Sequence, residues 1–188
     1  MNTSNGVNWL RLAGGLVMVW WTARLATGIA SWCFLDLVNL AFHEAGHVFL
    51  RPFGSTAHYL GGTIFQLLVP AVLVVYFLIR SYQPLGAAFS AWWLGESLVN
   101  ISVYMADARQ LDLPLVGGGD HDWNELFYRF GLLGEGSVAA VSGLTHALGV
   151  LVMLVGLAWW GFFVLPKATR DRWRESLTRD APWLGLLL

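Results

Sequence analysis

Charged residues are scarce in this sequence. They make up 12% of its 188 residues, whereas about 25% is usual in a soluble domain. A surface that faces water must be polar, so we expect most of the outer surface to face lipid. Hydrophobic residues make up 56% of the chain and include 11 Trp and 11 Phe. The composition therefore predicts an integral membrane protein whose first partner is the lipid bilayer.

Cysteine and basic residues are also few. The one cysteine, Cys33, has no second thiol to pair with, which excludes an intramolecular disulfide. The net charge is -1, and the sequence has no basic stripe of the kind that binds nucleic acid. The sequence has no internal repeat, and its length suits one folding unit. We predict a single integral membrane domain over residues 1–188 that does not bind nucleic acid.

Long apolar runs indicate the membrane spans. A helix needs about 20 apolar residues to cross the hydrocarbon core. Four runs are long enough: 26–50, 60–79, 85–106 and 138–165. A further run, 9–22, is shorter and either spans or lies in the interface. The predicted fold is therefore an all-α, polytopic transmembrane bundle of four to five spans.

Charge bias predicts the orientation in the membrane. One long polar loop, 107–136, carries more acids than bases, whereas the tail at 166–188 is basic. Basic segments favour the cytoplasmic side, so we expect a cytoplasmic C-terminus, an interfacial tail and an external loop. Two spans separate the end of run 26–50 from the loop, which places both on the same, outer side.

A metal-ligand motif, His43-Glu44-Ala45-Gly46-His47, lies near the end of the first run. Two histidines four residues apart project from the same face of a helix, within reach of one ion. Neutral imidazoles suit zinc, and the intervening glutamate can accept a proton from a bound water. The pattern predicts His43 and His47 as zinc ligands and Glu44 as the catalytic base.

Polar residues within the apolar runs form two stripes. Asp36 precedes His43 by almost two helical turns, and Glu96, Asn100 and Asp107 share one face of the third run. Because ionisable groups avoid lipid, we expect the two stripes to face each other in a polar seam.

A catalytic zinc needs a third protein ligand. Asp107, at the end of its stripe, and His121, in the loop on the same side, are the two candidates, and both together would close the site. Asp122 or Asp120, which flank His121, is expected to orient its ring by a hydrogen bond, as carboxylates beside metal-binding histidines do. Alternatively, Asp107 pairs with Arg109, and His121 caps a helix that begins near residue 123.

The segment Phe42-His43-Glu44-Ala45-Gly46-His47 resembles the site-2 protease type of intramembrane zinc metalloprotease. That resemblance implies cleavage of transmembrane substrates and a third zinc ligand from an Asp on a later transmembrane segment. The counterpart in this chain runs from Asn100 to Asp107, with Met105-Ala106-Asp107-Ala108 in place of the family's Leu-Asp-Gly ending. Site-2 proteases keep the metal toward the cytosol, whereas the charge bias in this chain indicates the outer side.

Most of the chain also resembles a group of uncharacterised bacterial membrane proteins, through Gly61 to Pro70 and His121-Asp122-Trp123. This resemblance implies a bacterial inner membrane but no activity. Two hypotheses of function stay open. One is a zinc peptidase that acts on membrane or membrane-adjacent polypeptides, and the other is a non-catalytic metal-binding or structural subunit of a larger membrane complex.

Overall fold

The computed structural model describes residues 8–116 and 119–180, and most of these residues are helical. No strand occurs within the described ranges, which confirms the predicted all-α class. The helices are α1 (Trp9–Ala26), α2 (Asp36–Leu50), α3 (Ser55–Ile79), α4 (Pro84–Ala106), α5 (Asp122–Arg129), α6 (Glu135–Val164) and α7 (Lys167–Asp180), and one 3-10 turn (Arg51–Phe53) joins α2 to α3.

Two of the described helices, α3 and α6, are long and apolar enough to cross a membrane. Their apolar side chains are mostly exposed on the monomer surface, as lipid-facing side chains would be. The described helices thus include two candidate membrane spans, fewer than the four to five that the sequence predicts.

The first predicted span, 26–50, is wrong as a continuous helix. Residues 27–35 form an irregular connection, and α2 has only 15 residues, or about 22 Å. Gly28, at a φ of 70°, adopts the left-handed conformation that ends α1. The chain restarts at Asp36, whose carboxylate accepts a 2.6 Å hydrogen bond from the Cys33 amide. Apolar composition did not reveal this break, because the connection is as apolar as the helices.

Helix α4 is the centre of the bundle and packs most closely on α6. Glycines allow this close approach: a Cβ on Gly95 would lie 2.5 Å from the Met153 amide, and one on Gly156 would lie 2.6 Å from the Trp92 amide. The Trp92 indole is buried and donates to the Thr22 hydroxyl of α1 at 2.7 Å. Small residues thus let the backbones of α4 and α6 approach each other closely.

Helix α1 runs antiparallel to α6. Near its start, the Arg11 carbonyl accepts a 2.9 Å hydrogen bond from the Trp160 indole. At its other end, the Ala26 carbonyl lies 3.4 Å from Nε2 of His146. Since His146 is 12 residues into α6, α1 ends partway along the bundle rather than at its edge.

Helix α2 continues from that intermediate depth and packs on α3. The two helices touch through Gly46 and Gly61, where a side chain on either glycine would overlap the other's backbone. Asn39 of α2 contacts Glu96 in the middle of α4, and His47 contacts His58 near the start of α3. Helix α2 therefore leads from the middle of the bundle to the end that carries the loop.

The predicted polar loop, 107–136, contains the short helix α5 and the first residues of α6. Helix α5 is fixed to the start of α3, because Arg129 donates to the Ser55 hydroxyl at 2.7 Å and stacks over the Tyr59 ring. Tyr59 in turn donates to Asp120 at 2.9 Å. These contacts place the loop over the end of α2.

Candidate metal centre

Three side chains meet at the C-terminal half of α2. Oδ2 of Asp122 lies 2.9 Å from Nε2 of His43 and 3.2 Å from Nε2 of His47. The two imidazole rings lie 4.7 Å apart, as the four-residue helical spacing predicts. The three side chains are at most 14% exposed. Among the residues that the structure describes, these three side chains are the one group of His, Cys and carboxylate ligands close enough together to hold a metal ion, and they are called the metal-binding group below.

The tautomer of His47 is fixed by the backbone of the next helix. Its Nδ1 lies 2.8 Å from the His58 carbonyl oxygen, which can only accept a hydrogen bond. Nδ1 therefore carries the proton, and in the neutral ring Nε2 carries a lone pair. Nδ1 of His58 donates in return to the His47 carbonyl at 3.0 Å. This reciprocal pair joins α2 to α3.

The tautomer of His43 is fixed by Gln66 of α3. The Gln66 amide nitrogen approaches the Ser97 carbonyl at 3.5 Å and donates to Asn100 Oδ1 at 2.9 Å. This arrangement turns Oε1 of Gln66 toward His43 Nδ1, at 3.3 Å. An amide oxygen only accepts, so Nδ1 of His43 also carries the proton and its Nε2 presents a lone pair.

Three lone-pair atoms consequently converge with no hydrogen atom of the neutral side chains between them. A proton on one imidazole would satisfy one of the two contacts to Asp122, whereas a metal cation would satisfy all three atoms. Hydrogen bonds from Nδ1 to a carbonyl or amide oxygen are the usual support for metal-ligating histidines. The arrangement is thus suited to binding a metal ion.

Asp122 is positioned by the start of α5, where it is the first helical residue. Burial raises the pKa of its carboxyl group, but the contacts with the His43 and His47 rings outweigh burial, and the net pKa lies below the ordinary value. The Asp122 amide donates to the Tyr104 hydroxyl at 3.2 Å. Asp122 is therefore held as a carboxylate, the form in which it can bind a cation.

His121 and Asp107, the two sequence candidates for the third ligand, lie together outside this group. Nδ1 of His121 accepts the Asn124 amide at 3.1 Å and so caps α5, and its Nε2 lies 3.4 Å from Oδ2 of Asp107. Burial lowers the pKa of His121 despite the neighbouring carboxylates. Asp107 also accepts the amides of Asp112 and Leu113 at 3.0 and 3.1 Å. It does not pair with Arg109, which contacts Glu135 instead.

The predicted polar seam is present between α2 and α4. The Asn39 amide donates to Glu96 at 2.9 Å, and it lies 3.5 Å from Asp36. Glu96 is only 1% exposed. Asn39 also accepts a 2.8 Å hydrogen bond from the Trp93 indole. The seam thus extends from Asp36 through Asn39 to the side of α4 on which Gln66 and Asn100 meet.

Glu44 lies in a cavity of about 690 Å³ that is also lined by His43, His47 and Asp122. Its carboxylate makes no hydrogen bond or ion pair to any residue that the structure describes. The other walls are largely apolar and come from α2, α4 and the loop, including Leu37, Leu40, Ile101, Val103, Leu113 and Leu115. A cavity of this size and lining is typical of small-molecule or peptide sites.

Gly62 is the residue of α3 on which the His43 ring rests. A Cβ at this position would overlap the imidazole, and the ring has no room to retreat without leaving Gln66 and Asp122. We expect Gly62→Ala to lower metal affinity about 10- to 100-fold, as loss of ligand support typically does. The measurement is zinc affinity by competition with a chromophoric chelator.

The control for Gly62→Ala is Gly143→Ala, because Gly143 is also helical and a Cβ there meets nothing within 4 Å. This control should keep the wild-type affinity. Equal affinities for all three proteins would contradict the tight placement of His43.

Comparison with protein families, curated proteins and solved structures found no match to this chain.

Sequence reasoning missed two features of the site. It assigned Asp122 to the second shell, whereas the structure places its carboxylate between the two histidines. It gave no role to Tyr104, which lines the cavity and binds the Asp122 amide. Tyr104 lies one turn after Asn100, so the predicted polar stripe of α4 could have included it.

Proposed function

We propose that this chain is a membrane-embedded, zinc-dependent peptidase. In this proposal His43, His47 and Asp122 hold the zinc ion, and Glu44 is the general base. The observation that carries the proposal is the unpaired Glu44 carboxylate in the same cavity as three converging ligand atoms. A site that served only to hold the fold together would have no use for a carboxylate kept free beside it.

Zinc fits the donor set better than calcium or magnesium. Two imidazoles and a carboxylate with an open fourth position match catalytic zinc sites. Ligand atoms about 2.0–2.1 Å from zinc at tetrahedral angles lie about 3.3 Å apart, close to the 2.9 and 3.2 Å that separate Asp122 from the histidines. Calcium and magnesium prefer oxygen ligands.

The chemistry follows from these positions. Bound zinc would supply Lewis-acid polarisation of a peptide carbonyl and make water more acidic. Glu44 accepts a proton from the attacking water, whose oxygen bonds to the carbonyl carbon. The carbon–nitrogen bond then breaks, and Glu44 returns the proton to the leaving amine. His43, His47 and Asp122 hold their positions throughout.

The membrane topology that we propose has four crossings. Helices α3, α4 and α6 each cross, and α1 and α2 together make one crossing in two pieces, because α1 ends and α2 begins at an intermediate depth. The metal-binding group and α5 then share the side from which α3 starts. Positive-inside bias favours a cytoplasmic C-terminus, an outer-side metal site and, for a bacterial protein, the inner membrane.

The substrate class that we propose is polypeptide in or next to the membrane. The cavity combines apolar walls with the polar group, and α2 exposes apolar side chains such as Phe49 to the surroundings. An extended apolar segment could therefore approach from lipid without crossing a charged surface.

A second function, a non-catalytic metal-binding or structural subunit of a larger complex, is favoured by one observation. The Asp122 carboxylate could join a protonated histidine as an ion pair and so fix α5 to α2 without any ion. Such a group would stabilise the fold in the absence of metal.

Metal removal separates the two functions. We expect protein purified in detergent to contain about one equivalent of zinc by elemental analysis. A chelator should abolish cleavage of apolar peptides in micelles, followed by mass spectrometry, and added zinc should restore it. Protein that contains no metal and gains none on zinc addition would refute the peptidase proposal.

A further inference from the structure

Two polar side chains of α4, Asn100 and Tyr104, line the same cavity as the metal-binding group. They are four residues apart, so they lie on one face of the helix with their Cβ atoms about 5–6 Å apart. Neither belongs to the metal-binding group. The hydrogen bonds around them determine what each presents to the cavity.

Asn100 presents its amide nitrogen. Its Oδ1 accepts the hydrogen bond from Gln66, and the contact of Gln66 with the Ser97 carbonyl fixes which end of the Gln66 amide donates. The Asn100 Nδ2 group makes no hydrogen bond to a described residue and is not among the buried unpaired atoms. It is therefore an accessible donor on a residue that lines the cavity.

Tyr104 presents its hydroxyl hydrogen. The hydroxyl oxygen accepts the Asp122 amide at 3.2 Å, and within the described ranges no acceptor takes its hydrogen. The ring is held by His121, whose centroid lies 4.1 Å away, and by the edge of His43 at 6.0 Å. The phenol is thus a positioned donor beside a metal-binding residue.

We propose that Asn100 and Tyr104 form a two-donor binding site for a carbonyl or carboxylate oxygen of an otherwise apolar ligand. Two donors on one helix face, opposite the histidines of α2, match a planar acceptor group such as a peptide or a carboxylate. The apolar walls match the remainder of the ligand. This site rests on the proposed function, because it would orient the substrate group next to the metal.

The test uses the full-length protein in detergent, loaded with Co²⁺, whose visible absorption reports changes in its ligands. The probe is octanohydroxamate, which joins an apolar chain to a carbonyl-containing metal-binding group. Imidazole is the control ligand, since it binds the metal through one nitrogen and needs no second donor. Dissociation constants of both are measured for the wild type, Tyr104→Phe and Asn100→Leu.

We expect each substitution to weaken octanohydroxamate binding about 10- to 100-fold, the effect of losing a hydrogen bond to a charged group. Imidazole binding and Co²⁺ content should stay at wild-type values. Tyr82→Phe is the matched control: it makes the same chemical change at a residue that is 81% exposed and does not line the cavity, so octanohydroxamate should bind it as it binds the wild type.

Other outcomes overturn the inference. Unchanged octanohydroxamate affinity in both α4 variants would mean that the donors do not meet the ligand. A parallel loss of imidazole affinity or Co²⁺ would mean that they only support the metal-binding residues. A wild type that binds no Co²⁺ would instead refute the proposed function itself.

Discussion

Replacing Glu44 with Gln is expected to lower the rate of peptide cleavage about 10²- to 10⁴-fold, the usual contribution of a general acid–base group. Gln has the same shape as Glu but cannot accept the proton from water. Since the Glu44 carboxylate bonds to none of the described residues, the substitution breaks no contact that supports the fold. Zinc content should stay near the wild-type value, and stability should change by no more than about 0.5 kcal/mol.

Three measurements on the same preparations decide this prediction: the cleavage rate, the zinc content and the thermal unfolding midpoint. His43→Ala is the reference for damage to the site, and it should lose zinc together with activity. If Glu44→Gln loses zinc or unfolds as early as His43→Ala does, Glu44 has a structural role. The non-catalytic subunit would then be the better proposal.

The second large effect concerns the third ligand. Asp122→Asn should weaken zinc binding on the order of 100-fold or more, because it removes a charged ligand. His121→Ala should keep zinc affinity within about tenfold of the wild type, since His121 caps α5 and faces Asp107 instead. Loss of that cap should cost about 0.5–2 kcal/mol of stability. Chelator competition measures the affinity, and thermal unfolding measures the stability.

The matched control is Asp120→Asn, which makes the same chemical change two residues earlier. Asp120 accepts a hydrogen bond from Tyr59 at the edge of the cavity and is not part of the metal-binding group, so its variant should bind zinc normally. The opposite pattern, with zinc lost in His121→Ala and kept in Asp122→Asn, would restore the ligand set that the sequence predicted.

Helical spacing predicted which residues share one face of a helix. It placed His43 and His47 on one face of α2. It also placed Asp36 of α2 and Glu96 of α4 in two polar stripes that were expected to face each other. The Asn39 amide now links those two carboxyl groups. Such predictions work because a helix has a fixed period and because polar groups in apolar surroundings seek each other.

The same spacing could not show that Asp122, rather than its neighbour His121, meets the two histidines. The two are adjacent, and which one points toward α2 depends on the residue at which α5 begins. The sequence left His121 open as a metal ligand or as the cap of a helix that begins near residue 123. In the structure His121 takes that position, which turns Asp122 toward the histidines. One residue of helix phase thus decides which side chain meets the two histidines, and composition does not encode it.

The reciprocal hydrogen bonds between His47 and His58 span only 11 residues, whereas the contact between His43 and Asp122 spans 79. During synthesis at about 5–20 residues per second, Asp122 would emerge about 4–16 s after His43. The two-histidine half of the site can form while α3 is being inserted, long before its carboxylate arrives. The group of His43, His47 and Asp122 is therefore completed only after α4 and the start of α5 have been synthesised.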